Sequence, residues 1–366
     1  MIDEPGPWGT GPFTLVQGAS SILTRNVIMA ADPYTCAWLI ESEDRSPELV
    51  LEANLDHWNR AERGPRVQRA VFRNNLSPSQ ALDLCLAGDG EVDIVTEVSP
   101  ADAERITASQ YARLVTADAN RVLTCIINRG RADVPLGSVD VRKALNMAVD
   151  RESIKRVTMR GMSIPAGIMV APSVHGWSKD LDVYPKYDPA AAKKMLAEAG
   201  YPEGFEFTLD CPNNRYVNDE KICQALVGMW AKAGLRVKLN AVPFANFIPK
   251  ILNFDSSAYM LGWGVATFDA LYSLQSLVRT KTAGADGSFN LGRVSDPKLD
   301  KTIDAIKITT DPKVRDALLR EGLMVTRDQA YYVPLHHQLR PWAMKKNVST
   351  VYKADDRPES RFARVD

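Results

Sequence analysis

The fold is decided by the stretch Ser257-Ala258-Tyr259-Met260-Leu261-Gly262-Trp263-Gly264-Val265-Ala266-Thr267-Phe268-Asp269. Its apolar first part is typical of a buried strand. The glycines that flank Trp263 would let another backbone come close, and exposed backbone groups there could pair with an extended ligand. We therefore predict a sheet edge that becomes one wall of a cleft. The alternative is a buried tryptophan beside a bend.

Length and composition limit the classes of function. The chain has 366 residues, 45% of them hydrophobic, which is enough for two substantial cores and so predicts two lobes. Lysine plus arginine and aspartate plus glutamate balance at 45 each, and no basic stripe stands out, which argues against nucleic acid as a partner. No apolar run approaches the roughly 18 residues that cross a membrane. The first residues have neither the basic end nor the apolar core of a signal peptide.

The cysteines do not suggest metal or redox chemistry. Cys36, Cys85, Cys125, Cys211 and Cys223 are scattered, and no two of them have C-x-x-C spacing. We expect them to be small buried hydrophobic residues, while one disulfide stays open. The expectation is therefore no metal site and no cofactor.

The order of strands and helices predicts an α/β architecture. Helices and strands alternate over residues 188–252, as they do in an α/β lobe. In the helix around residues 141–149 the apolar residues share one face, so Arg142, Lys143 and Arg151 are predicted to face outward. The apolar strand at 122–127 and a strand at 331–335 suit crossings between two lobes.

Recognisable catalytic motifs are missing from the sequence. It contains no G-x-S-x-G elbow, no H-E-x-x-H pair and no G-x-x-x-x-G-K loop. His336 and His337 are adjacent, so on a strand they point to opposite faces and cannot both bind one metal there without distortion. We predict that the protein is not an enzyme. The alternative that stays open is a hydrolase that uses His336 or His337 with a nearby carboxylate.

Aromatic and polar residues favour a binding site. Ligand pockets combine flat apolar surface with a few polar groups. Core packing is the ordinary role of a single aromatic residue, but Trp263 stands out because glycines flank it and a polar loop follows. The candidates are the aromatic residues Trp263, Phe268, Tyr272, Trp342, Tyr34 and Trp38, and the polar residues Asn128, Arg129, Asp269, His337 and Gln338.

Several segments together resemble family 5 solute-binding proteins, the oligopeptide, dipeptide and nickel class that serves ABC importers. They occur in family order over nearly the whole chain, and the match in the helix that ends at Arg151 is rather specific. The segments are Gly9-Thr10-Gly11-Pro12-Phe13, Val50-Leu51-Glu52-Ala53-Asn54-Leu55-Asp56-His57-Trp58, Gly90-Glu91-Val92-Asp93-Ile94, Val139-Asp140-Val141-Arg142-Lys143-Ala144-Leu145-Asn146-Met147-Ala148-Val149-Asp150-Arg151, Ala192-Lys193-Lys194-Met195-Leu196-Ala197-Glu198-Ala199-Gly200-Tyr201, Gly262-Trp263-Gly264 and Tyr332-Val333-Pro334-Leu335.

The resemblance implies a periplasmic-binding-protein-like α/β fold of type II, cluster C, with two lobes and mixed sheets. Residues 1–127 and 334–366 would form the first lobe and residues 128–333 the second, with the crossings near 126–127 and 333–334 as the hinge. Hinge closure would trap a peptide-like or other small polar or amphipathic solute, since the closed form is favoured by contacts to both walls.

The resemblance also implies the setting, and together with the aromatic and polar residues above it gives the expected contact residues. The protein would be a periplasmic monomer that works with the membrane permease of an ABC importer. A carrier of a chelated metal within the same family stays open as an alternative. The residues expected to contact the solute are Gly262, Trp263, Gly264, Phe268, Asp269, Tyr272, Asn128, Arg129, His337 and Trp342.

Two departures from the family pattern stand out. The family normally has a signal peptide and a further segment ahead of the first motif, so we expect that the chain lacks its N-terminal subdomain. Peptide binders of the family hold the α-amino group of the ligand with an aspartate three residues after the tryptophan. This chain has Ala266 there, and Asp269 matches a later family aspartate. A free peptide amine would therefore need another partner.

Overall fold

The structure, a computed structural model, describes residues 9–18, 20–29, 36–355 and 358–366, and it describes the backbone alone for 20–29 and 36–45. The strands in these ranges are β1 (Phe13–Gln17), β2 (Ser20–Met29), β3 (Cys36–Arg45), β4 (Glu48–Ala53), β5 (Arg69–Arg73), β6 (Ile94–Val95), β7 (Ala112–Ile127), β8 (Ser163–Pro165), β9 (Glu206–Pro212), β10 (Arg236–Val242), β11 (Ala258–Gly264), β12 (Tyr332–Lys345), β13 (Val348–Ser349) and β14 (Arg364–Val365).

The α-helices in the same ranges are α1 (Arg60–Arg63), α2 (Pro78–Leu86), α3 (Ala103–Thr107), α4 (Val139–Met147), α5 (Arg151–Ser153), α6 (Pro189–Glu198), α7 (Asp219–Lys232), α8 (Phe244–Leu252), α9 (Leu271–Leu277), α10 (Pro297–Ile308) and α11 (Pro312–Asp328). A π-helical turn at Ile154–Thr158 continues α5. Among the helices of the described ranges, none combines the length and the apolar character that crossing a bilayer requires.

The chain forms two compact units. The first is drawn from Met1–Val27, Trp38–Ala117 and Arg340–Asp366, and the second from Ile28–Ala37 and Asp118–Leu339. The boundaries between the units therefore fall inside β2, β3, β7 and β12. The sequence suggests lobe boundaries at 127/128 and 333/334, and the division into ligand-binding lobes stays a prediction.

The first unit contains a small antiparallel sheet in the order β1-β4-β5. Phe13 lies opposite Ala53, and the register shifts at a bulge after Leu15. The side-chain Nδ2 of Asn54 donates to the carbonyl of Gly11 at 3.0 Å, so the family-like segments 9–13 and 50–58 are in direct contact. A separate apolar cluster packs α2 against α3 through Leu82, Cys85 and Ile106.

The second unit is built on a mixed sheet in the order β10-β9-β11-β7-β12, with β8 beside β12. The pairs β10/β9 and β9/β11 are parallel, whereas β11 runs antiparallel to β7. Helices follow the parallel strands, as the alternation over residues 188–252 predicts. An aspartate N-cap followed by proline starts α6, α10 and α11, because the carboxylate accepts backbone N–H groups that the first turn leaves unpaired.

Two apolar layers cover the two faces of this sheet. Successive residues of a strand point to opposite faces. Accordingly, Tyr259, Leu261 and Trp263 belong to the layer that also contains the buried sides of α9, α10 and α11. Ala258 and Met260 belong to the layer beneath α4, α6 and α7. In β11 the odd-numbered side chains therefore pack against α9, α10 and α11, and the even-numbered ones pack beneath α4, α6 and α7.

The prediction that Arg142 and Arg151 face outward is wrong. Only 1% of Arg142 and 2% of Arg151 is exposed, while Lys143 is exposed as predicted. The Arg142 guanidinium donates to the carbonyls of Gly137 and Gln329 at 2.6 and 2.9 Å. Burial lowers the pKa of each arginine to about 10, so both stay charged at neutral pH. The two charges can be buried because main-chain carbonyls accept their hydrogen bonds. The pattern of residues along a helix does not reveal such partners.

Candidate functional site

The carboxyl end of β11 is an unpaired strand edge. Its pairing with β9 ends at Tyr259, opposite Asp210, while its pairing with β7 continues to Gly264, opposite Arg121. The amide of Val265 donates to the carbonyl of Asn120 at 3.3 Å, so odd-numbered residues direct their backbone groups toward β7. Backbone groups alternate along an antiparallel ladder, so those of Gly262 and Gly264 point to the other side.

Gly262 is required by an aromatic neighbour. A Cβ atom at this position would lie 2.6 Å from Cε1 of Tyr216 and 3.0 Å from Cδ of Arg121. The Tyr216 hydroxyl lies 3.5 Å from the Gly262 carbonyl, which agrees with an outward-pointing carbonyl. Gly264 has more room, because its nearest neighbour would be Oδ1 of Asn120 at 3.4 Å. The two glycines therefore have different structural roles.

Trp263 is largely buried in the second unit. Its side of the strand faces the α9–α11 layer, and 9% of the residue is exposed. The indole stacks on Tyr272, with ring centroids 5.3 Å apart and planes 22° apart, and it also packs on Phe289 at 5.7 Å. The Nε1 atom is buried and has no hydrogen-bond partner among the described residues. The geometry is thus close to the alternative stated above, a buried tryptophan beside a bend, except that the indole N–H is left without a partner among the described residues.

The turn after β11 presents Phe268 and fixes Asp269. Phe268 has a φ of 56°, in the left-handed region, and is 38% exposed. Both carboxylate oxygens of Asp269 accept from Arg315, at 2.8 and 2.9 Å, and Oδ1 also accepts from the amide of Leu271. Burial alone would raise the pKa of Asp269, but these hydrogen bonds lower it below its usual value. Asp269 is therefore already neutralised within its own unit.

Asn128 and Arg129 lie at the opposite end of β11. The backbone amide of Asn128 donates to the carbonyl of Ser257, the residue just before β11 begins. Gly264 is the last residue of the same strand. Six residues of extended chain separate positions 258 and 264, which corresponds to about 20 Å. The Arg129 guanidinium stacks 4.7 Å from the centroid of Tyr331. The structure therefore does not bring these two residues together with the glycines at the end of β11.

His337 is a buried member of a polar cluster in the second unit. It is 1% exposed, and its Nε2 atom lies 2.5 Å from Oδ2 of Asp182. The same carboxylate accepts from Trp177 Nε1 at 2.9 Å and from the amide of Gly167 at 2.6 Å. Burial alone would raise the pKa of Asp182, but the bond to His337 and the other donors lower it. This arrangement holds the loop of residues 167–182 against β12.

His336 is buried without charge. Burial, with a smaller effect of the neighbouring His337, lowers the pKa of His336 to about 3. The unfolded chain takes up this proton near pH 6.5, so between these two values the unfolded state binds more protons and stability falls as the pH falls. We expect proton binding to His336 in the unfolded chain to lower the free energy of unfolding by about 2 kcal/mol from pH 7 to pH 5. The variant His336→Gln should lack this decrease.

Urea unfolding at both pH values measures this effect. The matched control is His175→Gln, because the His175 side chain is 52% exposed and contacts Asp316 at the surface. The control retains His336 and should therefore still lose stability between pH 7 and pH 5. An equal loss of stability in wild type and His336→Gln would contradict the assignment of a neutral buried imidazole.

The remaining aromatic candidates are Trp342, Tyr34 and Trp38. Trp342 belongs to the first unit, where it is fully buried and packs on Tyr352 at 4.7 Å. Tyr34 lies outside the described residues, and so do the side chains of Trp38 and Cys36. Cys85, Cys125, Cys211 and Cys223 are free and buried. Among the described residues no group of three or more histidine, cysteine or acidic side chains is placed to hold a metal ion.

The sequence missed several residues around the strand edge. Tyr216 covers Gly262, Asn120 donates through Nδ2 to the carbonyl of Val265 at 3.0 Å, and Arg121 Nη1 donates to Oε1 of Gln338 at 3.3 Å. Tyr216 follows the carboxyl end of β9, and residues after the carboxyl ends of neighbouring strands meet at one edge of a sheet. The position of Tyr216 after β9 could therefore have indicated its role. Asn120 and Arg121 could not be found in this way, because their place beside β11 depends on the strand register, which the sequence does not show.

Comparison with known proteins places the chain in a family. The model for bacterial extracellular solute-binding proteins, family 5 Middle, matches residues 4–285. Heme-binding protein A of Haemophilus influenzae is 24% identical over 68% of this chain and 45% of its own length. Di/tripeptide-binding protein 1 of Pseudomonas aeruginosa is 25% identical over 91% of this chain and 60% of its own length.

A solved structure confirms the predicted fold class. The periplasmic binding protein DppA of Helicobacter pylori, in complex with the peptide STSA, superposes with a TM-score of 0.72 and 20% identity, over 98% of this chain and 63% of that one. The chain spans about half the length of the curated relatives it matches. The family model covers most of the chain, and the two relatives are named for binding a solute. The protein therefore belongs to the family 5 bacterial extracellular solute-binding proteins.

Proposed function

We propose that this chain is part of the solute-binding component of an ABC importer and that the carboxyl end of β11 is one wall of its binding site. The observation that carries the proposal is the loss of β9 pairing after Tyr259, while β11 continues to Gly264. An extended solute can add to such an edge as a further strand, with main-chain hydrogen bonds to Gly264 and to the N–H of Gly262, whose carbonyl already faces the Tyr216 hydroxyl. The exposed Phe268 and the partly exposed Tyr272 supply aromatic surface beside it.

The solute is proposed only by class. The names of the relatives include heme as well as small peptides, so family membership does not select one solute. We propose a peptide-like or other small polar or amphipathic molecule. Both oxygens of Asp269 are bonded to Arg315, and the exposed residue three positions earlier is Ala266, so neither of these two positions offers a free carboxylate to an amine.

The proposal has further parts. It includes two lobes, residues 1–127 with 334–366 and residues 128–333, that close on the solute about the chain crossings. It also includes a monomer, a location outside the cytoplasm, a permease partner and the absence of catalysis. The hydrolase alternative is not retained, because His336 is held neutral by burial and His337 is bonded to Asp182 in the interior.

Two substitutions at Gly264 test the strand edge directly. Proline removes an N–H that points away from β7 and is tolerated at such an edge, whereas alanine keeps that donor. We expect Gly264→Pro to weaken solute binding by at least about tenfold, which corresponds to about 1.4 kcal/mol, and Gly264→Ala to bind as wild type.

The solute for this measurement comes from the protein itself. Native mass spectrometry of protein purified from its own host identifies a co-purified small molecule, and calorimetric titration then compares the wild type with the two variants. Equal affinity in wild type and Gly264→Pro would refute the role of this edge. If no preparation retains or binds any small molecule, the solute-binding proposal itself fails.

A further inference from the structure

A cavity in the second unit is lined by residues outside the stretch 257–269. Its volume is about 460 Å³, within the range of small-molecule sites. It lies between α4, α6, the end of α11 and the start of β12, and it shares no residue with the stretch 257–269. Its lining residues are Lys143, Asn146, Met147, Gly167, Ile168, Met169, Val183, Tyr184, Pro185, Met195, Thr326, Arg327, Asp328, Ala330, Tyr332 and Pro334.

The walls of this cavity are mostly apolar. Met147, Met169 and Met195 come from three different segments, and Ile168 and Val183 add branched side chains. Methionine side chains are flexible and polarisable, so they adapt to apolar ligands of different shapes. Asn146 lines the cavity, but its side chain is already bonded: its Oδ1 accepts from Arg151 at 2.8 Å and its Nδ2 donates to the carbonyl of Tyr332 at 2.8 Å. The interior therefore suits a hydrocarbon or aromatic group rather than a polar one.

The rim carries an unbalanced positive charge. Lys143 is exposed, and its ammonium group has no hydrogen-bond or ion-pair partner among the described residues. Arg327, also in the lining, donates to Oδ1 of Asp328 at 2.8 Å and to the carbonyl of Leu181 at 3.3 Å. The arginine and the aspartate compensate each other, so Lys143 supplies the net charge. An anionic group bound at the rim would satisfy it.

We propose that this cavity binds a small amphipathic carboxylate, with its apolar part between the methionines and its carboxylate at Lys143. The site is separate from the strand edge at Gly262 and Gly264, and it does not depend on the solute bound there. It would give the second unit a ligand of its own.

Octanoate and 1-octanol form a matched pair of probes, because they share a chain length and differ in charge. Calorimetric titration of the full chain should show saturable binding of octanoate. Lys143→Glu should weaken octanoate binding about tenfold, since it replaces an attraction by a repulsion, and it should leave any binding of octanol unchanged. Lys232→Glu, on the exposed side of α7, is the charge control and should bind octanoate as wild type.

A variant that fills the cavity provides a second test. Met147→Trp should abolish octanoate binding, with circular dichroism used to confirm that it folds. Gly264→Pro should bind octanoate as wild type, which separates this cavity from the strand edge. Equal octanoate affinity in wild type and Lys143→Glu, or a loss of octanoate binding in Gly264→Pro, would overturn the proposal.

Discussion

Replacing Arg151 by alanine is expected to lower the free energy of unfolding by about 3–5 kcal/mol. The guanidinium is buried and donates to the carbonyls of Ala166 and Pro334 at 3.1 and 2.7 Å, and to the carbonyl and the side-chain oxygen of Asn146 at 3.2 and 2.8 Å. Alanine would leave these acceptors buried without donors and would also open a cavity. Each unsatisfied acceptor costs about 1–3 kcal/mol.

Urea denaturation of the purified chain measures this effect. Arg156→Ala is the control, because Arg156 lies on the exposed side of the following turn, and its free energy should stay within about 0.5 kcal/mol of wild type. Arg151→Lys should fall between the two, since an ammonium group has fewer donors and no planar fork. A loss of less than about 1 kcal/mol in Arg151→Ala would show that water or rearrangement replaces the guanidinium.

Gly262→Ala is expected to lower the free energy of unfolding by about 1–3 kcal/mol, the usual range for overpacking. The new Cβ would lie 2.6 Å from Cε1 of Tyr216, so the ring or the strand must move. Tyr216 is itself buried and belongs to the layer beneath α7, which restricts where the ring can go. Gly264→Ala is the matched control and should change the free energy by less than about 0.5 kcal/mol.

A double-mutant cycle identifies the cause of that loss. If the Tyr216 ring is the obstacle, Gly262→Ala should cost less in a Tyr216→Leu background than in the wild type. Thermal or urea unfolding of the four proteins provides the coupling energy. Equal costs in the two backgrounds would show that the aromatic ring is not the obstacle, and would leave Cδ of Arg121 or the backbone of β11 as the cause.

Local patterns predicted most of the secondary structure. The apolar run before Gly262 is a strand, and residues 188–252 form the alternating elements of an α/β unit, because these features depend on neighbours in sequence. The strand predicted at 331–335 is longer than expected, since β12 continues to Lys345. Its second half pairs with β6, which is distant in the chain.

The candidate site was harder to predict because it depends on register and burial. Polar residues such as Arg142, Arg151 and His337 read as exposed or cleft residues, yet each is buried where a carbonyl or carboxylate from a distant segment meets it. Asn128 follows the same strand that contacts Gly264, but the antiparallel pairing places it at the other end of β11. A sequence pattern shows which residues are polar, but the fold alone shows which partner neutralises them.

The strict alternation in β11 has a consequence for how this protein can change. Odd positions commit their backbone to β7 and their side chains to the α9–α11 layer, whereas Gly262 and Gly264 offer theirs to the open side. Inserting or deleting one residue there would exchange the two sets and place large side chains where glycine is needed. Under the role proposed for this edge, new solute preferences are therefore expected to arise by substitution in the loops beside this strand, while the length of the strand itself stays constant.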